Sequence, residues 1–187
     1  MLRAGRYDEA FRLADSSQGA LNLDDASPSV LSLHGALYLT AAIAAAKMSD
    51  RREVVRLLAH AQTVAERLGD DRNDHWTAFG RSNVRIHATS AAVDLGDPDD
   101  VLTNAAIPAD LLGRRSQLQL DTAWAYGQRR NDAAAVLALL EAERLAPQAV
   151  RHSPVARDLI QACLRRSRRK GALPGLDGLA QRTGVLT

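Results

Sequence analysis

A chain of 187 residues with 24 Lys and Arg against 22 Asp and Glu carries a net charge of only +2, too little to imply nucleic-acid binding by itself. That length buries a real core as one domain or as a short array of repeats. Alanine occurs 34 times, aromatic residues make up 4% and β-branched runs are scarce, which argues against an all-β fold and for closely packed helices.

Residues 5–10, Gly-Arg-Tyr-Asp-Glu-Ala, read as the turn and opening of the second helix of a hairpin, with Ala10, Phe11 and Ala14 facing inward. The first helix of that unit is then expected before Met1, making 1–16 a partial repeat; an ordinary N-terminal helix is the alternative. Residues 17–27 form a polar linker, and Ser27 with Pro28 caps and starts a helix. Residues 30–48 are apolar almost throughout and should be central, although no apolar run is expected to approach the roughly 20 residues that cross a bilayer. Asp50 and Glu53 make a capping-box pattern for a helix through Val54, Leu57, Leu58, Ala61 and Leu68 to Gly69, completing a hairpin over 28–69.

A polar connection, 70–75, leads to a long helix over about 76–95 that ends at Gly96. Asp97 and Pro98 open its short partner, with Asp99 and Asp100 at the positive end of the dipole and Ala105 and Ile107 completing it, so the third hairpin spans 76–107. A further helix from near Asp110 begins the fourth hairpin, 110–147. After Pro147 comes a short helical turn; Ser153 and Pro154 then start a helix over 155–169, and residues 176–183 add a last one, so that 154–187 caps the array. The turns before the second helices recur at 5–10, 49–54, 96–101 and 130–135, at irregular spacings between about 34 and 47 residues.

The stretch 118–147 organises this pattern. Its first run places Leu120, Ala123, Trp124 and Tyr126 near one side. Its second, 133–146, is apolar almost all round and must be covered on more than one side. Ala123, Ala135 and Ala142 allow close helix approach, while Tyr126 and Leu139 fill the gaps. With Pro147 closing the unit, these residues resemble a tetratricopeptide (TPR) repeat, except that Arg130 stands where the turn glycine is usual. The expected fold is therefore all-α: about nine helices, as TPR-like hairpins stacked in a right-handed α-solenoid over 1–187 as a single domain.

Residues 79–87, 92–97, 137–147 with Val150, Arg151 and Pro154, and Leu164, Arg165 and Arg166 are similar, in their order, to the TPR-like C-terminal domain of XRE-family helix-turn-helix transcriptional regulators of GC-rich bacteria. The 22 Arg against 2 Lys fit a GC-rich genome. The resemblance implies a sensory or dimerising module, with DNA bound only through a domain not present in this chain; the single cysteine, Cys163, fits a reducing cytoplasm, the expected location.

The candidate binding groove follows from the repeat frame. Asn83, His87 and Ser90 share a helix face, with Trp76 near that helix's start; Gln117, Asp121 and Trp124 sit correspondingly on the next first helix. Amide, imidazole, carboxylate and indole groups suit a peptide, protein or small-molecule effector. The competing reading is structural: Asn83 and His87 bond neighbouring helices and Trp124 is core. Arg165, Arg166, Arg168, Arg169 and Lys170 form the densest basic run, a phosphate or acidic-partner contact or a solvated helix end.

The five histidines are scattered and Cys163 is the single cysteine, so no metal, disulfide or cofactor is expected. Cys163 reads as a core residue without a base beside it, G-x-S-x-G and phosphate loops are absent, and no catalysis is expected. The expectation is a non-catalytic regulatory domain that binds an effector in its groove, dimerises through the apolar face at its N-terminus, and has no membrane partner. A stand-alone TPR adaptor holding a partner peptide is the alternative.

Overall fold

A computed structural model describes residues 5–19, 26–104 and 112–186, with the side chains of 18, 19, 104, 112–114, 169 and 170 outside that description. Among the described residues there are ten α-helices, one 3-10 turn and no strand. The tenth helix beyond the nine or so expected is the five-residue turn after Pro147. Packing divides the chain into two compact units, Met1–Gly96 and Asp97–Thr187, where the sequence predicts one domain; the division falls inside the expected hairpin 76–107.

The first unit is built on α2, Pro28–Lys47. Ser27 Oγ accepts from the Val30 amide at 3.4 Å and Pro28 occupies the first turn. Helices α1, Tyr7–Gly19, α3, Arg51–Leu68, and α4, Arg81–Asp94, all pack on α2. Ala41, Ala42, Ala44, Ala45 and Ala46 are completely buried, as a helix covered on several sides requires. By length and composition α2 is apolar enough to cross a membrane, contrary to the sequence expectation, because Lys47 is its only charge. Its alanines instead serve the core, and 56% of the window is buried inside the unit. Gly35 marks the tightest approach: a Cβ there would stand 1.9 Å from Cζ of fully buried Phe79.

Asp50 Oδ1 accepts from the Glu53 amide at 3.0 Å, so half of the expected capping box forms. Its return half is absent, because the Glu53 carboxylate is taken by Arg56, which also holds it below the usual carboxylate range. Lys47 Nζ donates to Asp94 Oδ1 at 2.5 Å and ties α2 to α4.

The predicted helix start at Trp76 needs correction. A 3-10 turn occupies Asp74–Trp76, and α4 begins only at Arg81. His75, Trp76 and Ala78 have φ of 50°, 61° and 45°, a left-handed conformation that costs such side chains free energy. Side chains hold this loop: Asp71 Oδ1 accepts from the Ser82 amide and Asn73 Oδ1 from the Ala78 amide, both at 3.1 Å.

The second unit begins with α5, Pro98–Asn104; the predicted positions Ala105, Ile107, Pro108 and Asp110 lie outside the described residues. Helices α6, Leu112–Gln128, and α7, Asp132–Leu145, fold back on each other. Ala123, Ala135, Leu139 and Ala142 are completely buried between them, Tyr126 packs on the same core, and Ser116 Oγ donates to the Ala142 carbonyl at 3.1 Å. Then come α8, Pro147–Arg151, α9, Pro154–Lys170, and α10, Leu176–Arg182, the last clamped to α7 by Arg182 and Glu143 at 2.6 Å.

The four predicted turns share one backbone device. Gly5, Ser49, Gly96 and Arg130 have φ of 72°, 61°, 73° and 56°, and a helix starts two residues after each. In the last three, the intervening Asp50, Asp97 or Asn131 accepts from the amide three residues on, as an N-cap does.

Candidate functional site

The two halves of the predicted groove fall in different compact units. In the first, Asn83 and His87 each bond backbone close to them. Asn83 is buried, its Nδ2 donating to the Thr77 carbonyl at 3.4 Å and so steadying the loop before α4. His87 Nδ1 lies 2.9 Å from the Asn83 carbonyl, which can only accept, so that nitrogen carries the proton. Ser90 is half-buried. Trp76 is 90% exposed on the left-handed loop, off the helix to which the sequence assigns it.

In the second unit Gln117 Nε2 donates to Asp121 Oδ1 at 2.8 Å, one turn apart on α6, and Asp121 is buried. Trp124 differs: it is half-buried and lines an open cleft of about 430 Å³ between the end of α6 and α9. Val155, Asp158, Leu159, Ala162 and Arg166 supply the α9 wall; their spacings of three, four, seven and eleven residues keep them on one helix face. Trp124, Gly127, Gln128 and Arg130 supply the other.

Two contacts set that cleft. A Cβ on Gly127 would stand 2.4 Å from Leu159 Cδ1, so glycine there allows the helices to meet. Asp132, at the start of α7, accepts from Arg166 Nε at 2.8 and 3.0 Å and lies 2.6 Å from its Nη2.

Of the predicted basic run, Arg165 and Arg168 are exposed, while Arg166 is turned inward to Asp132; the side chains of Arg169 and Lys170 lie outside the described residues. Cys163 is completely buried, as a core residue should be. The expectation of no base beside it needs correction: Asp132 Oδ1 is 3.9 Å from Sγ. Arg166 already engages that carboxylate, and burial first, then the Asp132 charge, pushes the thiol up, so the arrangement disfavours a nucleophilic thiolate. Among the described residues no three His, Cys, Asp or Glu side chains form a metal-binding group.

Sequence reasoning missed Gly127, Arg130, Asp158 and Leu159 as cleft residues. The available signal was Arg130 itself, a long cation at a corner where glycine is the easier choice. No family model, characterised protein or solved structure matches this chain.

Proposed function

We propose that the chain is a non-catalytic, effector-binding regulatory domain of TPR-like helical hairpins. On this reading it is the sensing part of a helix-turn-helix transcriptional regulator whose DNA contact belongs to a domain outside this chain. The α6–α9 cleft carries the reading, because it pairs a half-buried indole with apolar and charged side chains in a concavity of small-ligand size. An effector wedged between those walls bears on the Gly127–Leu159 contact and the Asp132–Arg166 pair, and so on how hairpin α6–α7 leans on α9. It shifts the population of such arrangements only by binding one better than another. A homodimer is the proposed route for passing that shift to a DNA-binding domain.

Native mass spectrometry of the chain purified from its own host tests this. A bound small molecule is expected, with Trp124→Ala weakening its retention. Protein that arrives empty and whose Trp124 emission responds to no host extract would refute it. Light scattering at high concentration tests the dimer, which a clean monomer would exclude.

A further inference from the structure

We infer that the α6–α9 cleft is built for a small zwitterion, an α-amino acid or short peptide with a large apolar side chain; this rests on the effector-binding reading above. Arg166 is satisfied by Asp132, whereas Arg130 on one wall and Asp158 on the other have no ion-pair partner among the described residues. A simple anion would meet Asp158 and a simple cation would meet Arg130. A ligand carrying both charges satisfies both, and its apolar body then lies along Trp124, Val155 and Leu159. Val155 is 44% exposed, an apolar surface such a body would cover.

Gly5 and Gly96 make the left-handed corner without steric cost, whereas Ser49 and Arg130 make it at φ 61° and 56° despite their side chains. Strain of this kind persists where the surroundings over-determine it, and it concentrates at binding sites. Arg130 is also the corner residue that lines the cleft. The structure thus keeps a strained cation where glycine would be more stable and where the unpartnered anion Asp158 faces the same space.

The test uses the full chain with Trp76→Phe, leaving Trp124 as the reporting indole. It is titrated with L-phenylalanine, its N-acetyl derivative, its amide, glycine and the dipeptide Phe-Phe. Phenylalanine or Phe-Phe should bind, the stronger of the two fixing the ligand as free amino acid or peptide. Glycine should not bind. The acetyl and amide forms should each be weaker by about fivefold, the value of one partly solvated charge pair. Asp158→Asn should erase the acetyl penalty. Arg130→Gly should erase the amide penalty while raising the melting temperature by about 4 °C. Equal binding of all phenyl compounds, or penalties that survive both substitutions, overturns the zwitterion and leaves the effector-binding reading standing. No binding by any probe also overturns it, and host-purified protein that arrives empty would then remove both.

Discussion

Gly35→Ala offers the most direct check of the core geometry. In an exposed helix interior this change stabilises by about 1 kcal/mol, because alanine has less backbone freedom to lose. Here the new Cβ would stand 1.9 Å from Phe79 Cζ and 2.3 Å from each Cε. Carbon atoms pack at about 3.5–4.0 Å, so the ring must retreat by well over an ångström. Phe79 is fully buried and has no solvent to retreat into. Overpacking costs about 1–3 kcal/mol, and this overlap belongs at the upper end, leaving a net destabilisation of about 2 kcal/mol after the helix gain. Leucine lacks the three ring atoms that collide, so in a Phe79→Leu background the sign should reverse and Gly35→Ala should stabilise by about 0.5–1 kcal/mol. The coupling of about 3 kcal/mol sits at the top of the range for contacting residues. Urea unfolding followed by circular dichroism, with amide exchange in α2 read by mass spectrometry, measures all four corners of this cycle. A Gly35→Ala protein as stable as the parent, or an equal cost in both backgrounds, would refute the packing argument.

The remaining predictions use groups whose environment is unusual. His34 is buried with neither ring nitrogen bonded, and burial first, then the nearby His60 charge, holds its imidazole below the ordinary value. The unfolded chain then binds that proton more readily, so stability is full above about pH 6.5 and falls as pH drops below it; His34→Leu should remove this acid-side loss and add about 1 kcal/mol at pH 7, and unchanged pH curves would exclude it. Arg166→Ala should cost about 2–3 kcal/mol, less than a fully buried pair because 24% of the Arg166 side chain reaches solvent while Asp132 keeps only 10%; lysine should restore under half of that, for want of the second donor. Cys163 should react with an aromatic disulfide at pH 8 on the order of a hundredfold more slowly in the folded protein than in urea, and equal rates would mean that the thiol is open to solvent.

Much of the helical skeleton was legible because local residues encode it. Ser27, Asp50 and Ser153 each accept from the amide three residues on, as cap spacing predicts. The four corners were found from their recurrence, and all four proved left-handed. What failed was whatever depends on a competing partner. The helix predicted from Trp76 starts at Arg81, since Asp71 and Asn73 offer the backbone another set of bonds. The second half of the Asp50–Glu53 box loses Glu53 to Arg56. The spacing of Asn83 and His87 does not show that Asn83 Nδ2 reaches the Thr77 carbonyl and His87 Nδ1 the Asn83 carbonyl. In the basic run, spacing alone does not show that Arg166 turns to Asp132, 34 residues earlier, while Arg165 and Arg168 stay exposed.

The cleft belongs to this second class, since every pair that shapes it joins residues about thirty positions apart. Its one locally visible trace is the departure from glycine at position 130, and the fold supplies a control for reading that departure. Ser49 makes the same corner in the other unit with φ 61°, against 56° at Arg130, so the two share one backbone cost. Relieving it with glycine should therefore stabilise either corner by a similar amount, about 1 kcal/mol. If Arg130 is present only because the corner tolerates it, Ser49→Gly and Arg130→Gly will be indistinguishable in every assay. If the guanidinium is kept for what enters the cleft, both variants will gain stability and only Arg130→Gly will lose its ligand.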